Sequence, residues 1–348
     1  MSNKSSYLFI LFAVLIAFVV FSSEKEYFSL LREPMKLSLP KGFPTPAYNF
    51  QKNKLNAKVF NLGRQLFYDP ILSADGSISC GSCHQQIAAF AHIDHALSHG
   101  IYGKIGKRNV PALQNLIWNT SYMWDGGVNN LEVQPINPIT NPIEMNESLA
   151  HVVQKLNASV KYKTLFFKAY NDSLINSERL LKALAQFTGL LISADAKYDR
   201  VMAKADTFTT QEQQGFQLYK VKCANCHPAP LFTDNSMRNN GLPIDTALHD
   251  DGRATITHQS GDKNKFRVPS LRNCEMTYPY MHDGRFRKLK EVIAHYNNQS
   301  KMERNYDRSI NKIGTLTAEE QQALVLFLKT LTDKTFLYDR RFADPNNQ

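Results

Sequence analysis

The chain has 348 residues, 43% hydrophobic and 21% charged, with 15 Tyr and 21 Phe. That excludes a single small module and a globally disordered chain, and supplies apolar material for more than one packed core. Lys and Arg number 41 against 31 Asp and Glu, a formal +10, but the basic residues are scattered along the chain, so no nucleic-acid partner is expected.

Lys4 precedes an unbroken apolar run of 15 residues, Tyr7 to Phe21, that ends at Ser22-Ser23-Glu24. A basic start, an apolar middle and a small-residue exit make an export signal over residues 1–23, and the expected compartment is the periplasm. The run is shorter than the ~20 residues that cross a bilayer comfortably, which favours cleavage. The strict A-x-A cleavage pattern is absent, so an uncleaved N-terminal anchor, and through it a membrane contact, stays open. Residues 24–54 form an N-terminal extension, and Pro34 to Pro46 reads as an ordered loop.

Helical periodicity then begins. Asn56 to Phe67 carries an apolar stripe and leads to Cys80-Gly-Ser-Cys83-His84. The stretch Pro135 to Pro142 reads as another ordered loop. Ser177 to Leu191 is a second apolar-periodic helix, and Thr210 to Lys222 a third that leads to Cys223-Ala-Asn-Cys226-His227. Thr317-Ala-Glu-Glu320 is a capping box opening a helix with Ala323, Leu324, Phe327, Leu328 and Leu331 on one stripe. Few segments alternate with period two, so the fold class is mostly α.

Four of the five cysteines thus form two C-x-x-C pairs, each followed by histidine, and C-x-x-C-H is the attachment signature of c-type haem. Two thiols add across the vinyl groups of one porphyrin edge, and the adjacent histidine reaches under the ring to bind iron. A four-cysteine zinc site would use the same pairs but has no need of the histidines and usually places its pairs closer in sequence. A thioredoxin-like C-x-x-C would need a βαβ context that is not present. The fifth, Cys274, reads as a buried inert thiol.

The two halves are also similar to each other. Pro111-Ala-Leu113-Gln-Asn115 resembles Pro269-Ser-Leu271-Arg-Asn273, and Tyr122-Met123-Trp124-Asp125-Gly126 resembles Tyr280-Met281-His282-Asp283-Gly284; seven of sixteen aligned positions are identical. Unrelated stretches would share about one, so the chain is internally duplicated. The expectation is two cytochrome-c-like domains, 55–205 and 206–340, each with one covalently bound haem. Trp124 in the first copy stands where the second has His282.

From about Leu62 to Leu331 the chain resembles the bacterial di-haem cytochrome c peroxidases and their MauG-type relatives. The matching stretches include Leu62-Gly63-Arg64-Gln65-Leu66-Phe67, both haem motifs, Arg108-Asn109-Val110-Pro111, Trp124-Asp125-Gly126, Pro142-Ile143-Glu144-Met145 and Pro279-Tyr280-Met281-His282-Asp283-Gly284. The resemblance implies a reactive N-terminal haem on Cys80, Cys83 and His84 that meets hydrogen peroxide. It implies an electron-transfer haem on Cys223, Cys226 and His227, with Trp124 between the two. It gives Gln134 and Glu144 as the distal pair that handles the proton during O–O cleavage, and Asn109, Thr277 and Pro279 as oxygen ligands of a calcium ion between the domains.

Two departures bear on subtype. Where the peroxidases carry a methionine ligand to the second iron, fourteen residues past the position of His282, this chain has Tyr296, as MauG-type enzymes do; a phenolate favours high oxidation states, and Met302 is the fallback ligand. Where many peroxidases place a capping histidine on the first iron, this chain has Ile101, with His99 two places away. His92, His95 and His99 have metal-ligand spacing for a helix, but the segment reads as a loop of solvated histidines. Three functions follow: a peroxide-reducing enzyme fed by a small cytochrome or cupredoxin, a MauG-like oxidase of a protein or organic substrate, or a plain electron carrier. The distal pair argues against the carrier.

Overall fold

The computed structural model describes residues 36–298 and 306–347. The expected export segment, the first part of the extension and Met302 lie outside the described residues. No helix among the described residues is long and apolar enough to cross a membrane.

The fold is mostly helical. In chain order the helices are α1 Ala57–Tyr68, the single turn α2 Cys80–Cys83, α3 Ile136–Thr140, α4 Leu149–Ala158, α5 Val160–Tyr170, α6 Ser177–Gly189, α7 Lys197–Met202, α8 Thr210–Lys222, α9 Ala254–Thr257, α10 Leu289–Asn297, α11 Ala318–Lys329 and α12 Lys334–Leu337. One short antiparallel ladder pairs β1 Met237–Arg238 with β2 Phe266–Arg267. The four helices expected from periodicity form where the caps put them: Asn56 caps α1 through Lys58 N, and the Thr209 and Thr317 boxes cap α8 and α11. One expected loop is partly helical. Pro135 to Pro142 contains helix α3 rather than only loop, because Pro135 already has helical φ at −65° and Pro138 falls in the first turn, where no intrahelical donor is needed.

Each half is built around one close helix crossing. Gly63 on α1 meets α6 so tightly that a Cβ there would lie 1.9 Å from Ala183 O; Gly215 on α8 meets α11 with the same approach, 2.0 Å to Ala323 O. Phe187 and Phe327 stand beside these glycines and fill their respective cores. The first core gathers Phe60, Leu66, Phe67, Phe90, Leu184 and Phe187, and the second Tyr219, Phe232, Leu324, Phe327 and Leu331.

The duplicated motifs adopt one conformation. Met123 and Met281 both have positive φ (67° and 74°), as do Gly126 and Gly284 (66° and 69°). Tyr122 pairs with Val128 and Tyr280 with Phe286 in matching bridges, and Asp125 and Asp283 each accept the amide two residues on.

The cores do not part at the expected boundary near residue 206. Tyr198 on α7 packs into the second core, while Phe336, Leu337 and Phe342 return to the first. Arg64 holds the returning segment through the carbonyls of Arg340 and Arg341, and Tyr68 Oη donates to Phe342 O at 2.8 Å. The described part of the extension also packs on the body: Tyr48 N donates to Ile117 O at 2.9 Å and Trp118 Nε1 to Pro44 O at 2.7 Å.

A buried polar network joins the halves. Asn273 Nδ2 donates to Gln114 Oε1 and, at 3.0 Å, to Ser193 Oγ, which in turn donates to Asp333 Oδ2 at 3.0 Å. The amides of Ala194 and Asp195 complete the Asp333 carboxylate at 2.9 Å each. Every member is satisfied inside the protein, the condition under which such a network fixes geometry instead of costing stability.

Candidate haem sites

The five cysteines are free thiols. Cys80 packs against the first core and Cys223 against the second, which removes the four-cysteine zinc reading. Among the described residues no three His, Cys, Asp or Glu side chains are gathered to hold a metal ion. Ser79 caps α2 through Ser82 N, so both thiols of the first pair project from one helical turn.

Each motif histidine is prepared in the same way. His84 Nδ1 lies 2.7 Å from Phe90 O, and His227 Nδ1 lies 3.1 Å from the carbonyls of Phe232 and Pro269. A ring nitrogen facing only carbonyl oxygens carries the proton, which leaves Nε2 as a lone-pair donor. Burial pulls His84 down to about 4 against the opposing pull of the Phe90 bond, and it lowers His227 as well. Both rings are therefore neutral and able to ligate at pH 7. Phe90 and Phe232, the residues that orient them, both take positive φ (61° and 56°).

Around the second motif lies a cavity of about 280 Å³ whose walls include Cys223, Cys226, His227, Trp124, Tyr296 and Arg267. Two thiols, an imidazole nitrogen and a phenol oxygen around one mainly apolar cavity fit a covalently held haem with N/O axial ligation. Tyr296 is pushed up to about 12 by burial, which outweighs its hydrogen bond with Asn240. Asn240 also donates to Met281 Sδ at 3.4 Å, and its carbonyl lies 3.0 Å from His295 Nε2. Gln134 makes the equivalent contact in the first half, Nε2 to Met123 Sδ at 3.6 Å.

Glu144 lies by the first motif. Burial raises its carboxyl despite a 3.1 Å hydrogen bond from Asn141 Nδ2, and its charge, after burial itself, helps to push Cys83 up to about 11. The loop carrying Ile101 is sealed against it: Ile101 is fully buried and its amide donates to Glu144 O at 2.9 Å. Gly100 permits this, since a Cβ there would fall 1.7 Å from Ile143 O.

The histidine segment is a loop, as expected, but it is not simply solvated. His92 is buried, and the rings of His92 and His95 stack at 5.0 Å while His95 and His99 meet at 4.2 Å. The cause is the fold of the loop, which turns His92 inward directly after the buried segment Ala88 to Ala91. His99 presents its carbonyl, 3.5 Å away, to the Cys83 thiol.

Trp124 sits at the junction of the halves, with Nε1 donating to Asn109 O at 2.8 Å. Asn109, Thr277 and Pro279, the expected calcium ligands, line the same cavity as Trp124. Beside them Arg108 spans the halves, bonding Asp125 in the first and Asp250 in the second (Nε 2.6 Å, Nη2 2.7 Å). Sequence reasoning passed over Arg108, Asn141, Asn240 and Arg267 as site residues. Extending the repeat upstream, where Val110-Pro111 matches Val268-Pro269, would have aligned Asn109 with Arg267.

The family model for di-haem cytochrome c peroxidase matches residues 57–207. Over 299 residues the chain is 34% identical to methylamine utilization protein MauG of Methylorubrum extorquens, covering 84% of this chain and 82% of that one. It is 33% identical over 283 residues to cytochrome c551 peroxidase of Nitrosomonas europaea, covering 80% of each. A solved MauG-like protein associated with microbial copper homeostasis superimposes with a TM-score of 0.83 at 32% identity, covering 89% of this chain and 99% of that one. The chain therefore belongs to the di-haem cytochrome c peroxidase and MauG family and is an oxidoreductase of the peroxidase type.

Proposed function

We propose that this enzyme activates hydrogen peroxide at the haem of Cys80, Cys83 and His84, and shares electrons through Trp124 with the haem of Cys223, Cys226, His227 and Tyr296. When bound, the haems supply iron that exchanges single electrons and, in the first site, a coordination position for peroxide. The observation that carries the reading is Glu144, a half-buried carboxyl of raised proton affinity beside the first cysteine pair. It can take a proton from one peroxide oxygen and return it to the departing one, with Asn141 holding its orientation. Gln134, tied to Met123 beside Trp124, is the second distal residue. Asn109, Thr277 and Pro279 supply oxygen ligands to one calcium ion at the junction.

The reading extends to a periplasmic protein, supported by the N-terminal apolar run and by the haem-attachment cysteines, with a small cytochrome or cupredoxin as electron donor. A second reading, oxidation of a protein or organic substrate in the manner of MauG, is favoured by Tyr296 on the wall of the second cavity. Low-temperature EPR of the fully oxidised protein tests the assignment. One high-spin and one low-spin ferric signal are expected, and two low-spin signals would mean that a residue such as His99 caps the first iron.

A further inference from the structure

The cavity around Cys223 and Cys226 contains a cation with no counter-charge. Arg267 is 8% exposed and its Nε has no hydrogen-bond partner; Nη1 reaches Asn235 Oδ1 at a long 3.3 Å. Among the described residues it forms no ion pair. Its neighbours differ: the fully buried Arg272 is clamped by both oxygens of Asp199 at 2.7 and 2.8 Å, and Arg238, on the same cavity wall, is held by Asp234 and Asp307. Burial drags Arg267 down to about 10, opposed only by the Tyr122 phenol. An isolated buried guanidinium is among the costliest groups a fold can carry unless something arrives to pair with it.

We propose that Arg267 is the counter-ion for the propionate carboxylates of the haem held by Cys223 and Cys226, an inference that rests on the di-haem reading above. A haem carries two carboxylates on the edge away from the vinyl groups that the cysteines take, so it brings a dianion into the cavity that the unpaired guanidinium faces. A planar guanidinium fork matches a carboxylate bidentately. The backbone at the root of this side chain is held on both sides. Arg267 pairs with Met237 in the β ladder, and its amide donates to Trp124 O at 2.7 Å. The exposed Lys312 at the rim is a solvated charge and cannot substitute for a desolvated one.

The test uses the haem-loaded protein, with Arg267→Met and Arg267→Lys. Covalent haem content checks the underlying reading separately: a parent protein without two covalent haems would sink that reading, whatever Arg267 does. With both haems present, Arg267→Met should lower the midpoint potential of the haem whose spectrum responds to Tyr296→His, because a positive charge beside the ferric state is gone. The potential of the other haem should stay in place. Resonance Raman propionate-bending bands of the second haem should shift in Arg267→Met and also in Arg267→Lys, which keeps the charge but loses the fork and should retain most of the potential. Unchanged potential and bands in Arg267→Met, or a shift confined to the first haem, would overturn the assignment. If Arg267→Met does not accumulate, unchanged bands in Arg267→Lys would overturn it equally.

Discussion

Trp124 and His282 occupy the same place in the two copies of one motif, and each accepts a backbone hydrogen bond from the opposite copy. Arg267 N donates to Trp124 O at 2.7 Å, and Asn109 N donates to His282 O at 2.6 Å. Asn109 and Arg267 are themselves equivalent positions, so the exchange is reciprocal about the junction. The Trp124 indole adds a bond of its own to Asn109 O. Trp124→Phe should keep both haems, lose about 1 kcal/mol of stability with that bond, and slow electron exchange between the haems, which stopped-flow spectroscopy after peroxide addition would read.

Glu144→Gln keeps the shape of the site and removes the carboxyl to which the proposed mechanism gives the proton transfer. Peroxide cleavage should slow by about 10²- to 10⁴-fold with haem content intact. Because burial holds the parent carboxyl above its ordinary value, the parent pH profile should carry a limb displaced upward from the usual carboxyl range, absent in the variant. Parent-like turnover would remove Glu144 from the mechanism.

Tyr296→His or Tyr296→Met should give the second haem ordinary low-spin bis-ligated spectra and weaken the stabilisation of its high oxidation states. Spectra and peroxide kinetics identical to the parent would exclude Tyr296 as a ligand.

The two helix crossings predict a paired stability effect. Gly63→Ala and Gly215→Ala each push a methyl into a backbone carbonyl, of Ala183 and Ala323 respectively. Each should cost about 1–3 kcal/mol, the range for an overpacked core, although alanine is the better helix former. Urea unfolding curves would show the loss, and a neutral result at either site would mean that the helices separate easily.

Acid should loosen the junction through Asp250. Burial alone would raise its carboxyl, but the hydrogen bonds and charge of Arg108 outweigh it and hold it below the usual carboxylate range. With the folded value depressed, its stabilisation is complete above the ordinary carboxyl range and is lost as pH falls through the folded value. Asp250→Asn should cost about 2 kcal/mol near pH 7, typical of hydrogen bonds between charged groups, and should flatten the acid limb of the stability curve. Melting temperatures measured across that range would check both effects.

Local chemistry made much of this molecule legible in its sequence. Three apolar stripes and the Thr317 capping box place four helices, and two C-x-x-C-H motifs announce two haems, because each signal lies within a short run of consecutive residues. The duplication was legible too, since one conformation requires the same Met, Asp and Gly in both copies. What escaped depends on residues far apart in sequence. Arg267 looks like any scattered basic residue until burial strips it of partners, and Asn240 gains meaning only once Met281 and Tyr296 fold against it. The inward turn of His92 follows from a buried segment before it, which spacing between histidines cannot report.

The return of Phe336, Leu337 and Phe342 to the first core has a consequence for the order of assembly. The first core is not fully covered until residues 334–347 have been made, so the half synthesised first is completed last. Such long-range closure slows folding. A chain still lacking that segment would leave Phe60 and Phe90 partly uncovered, and it should be open to proteases in the first half while the α8–α11 core is already closed.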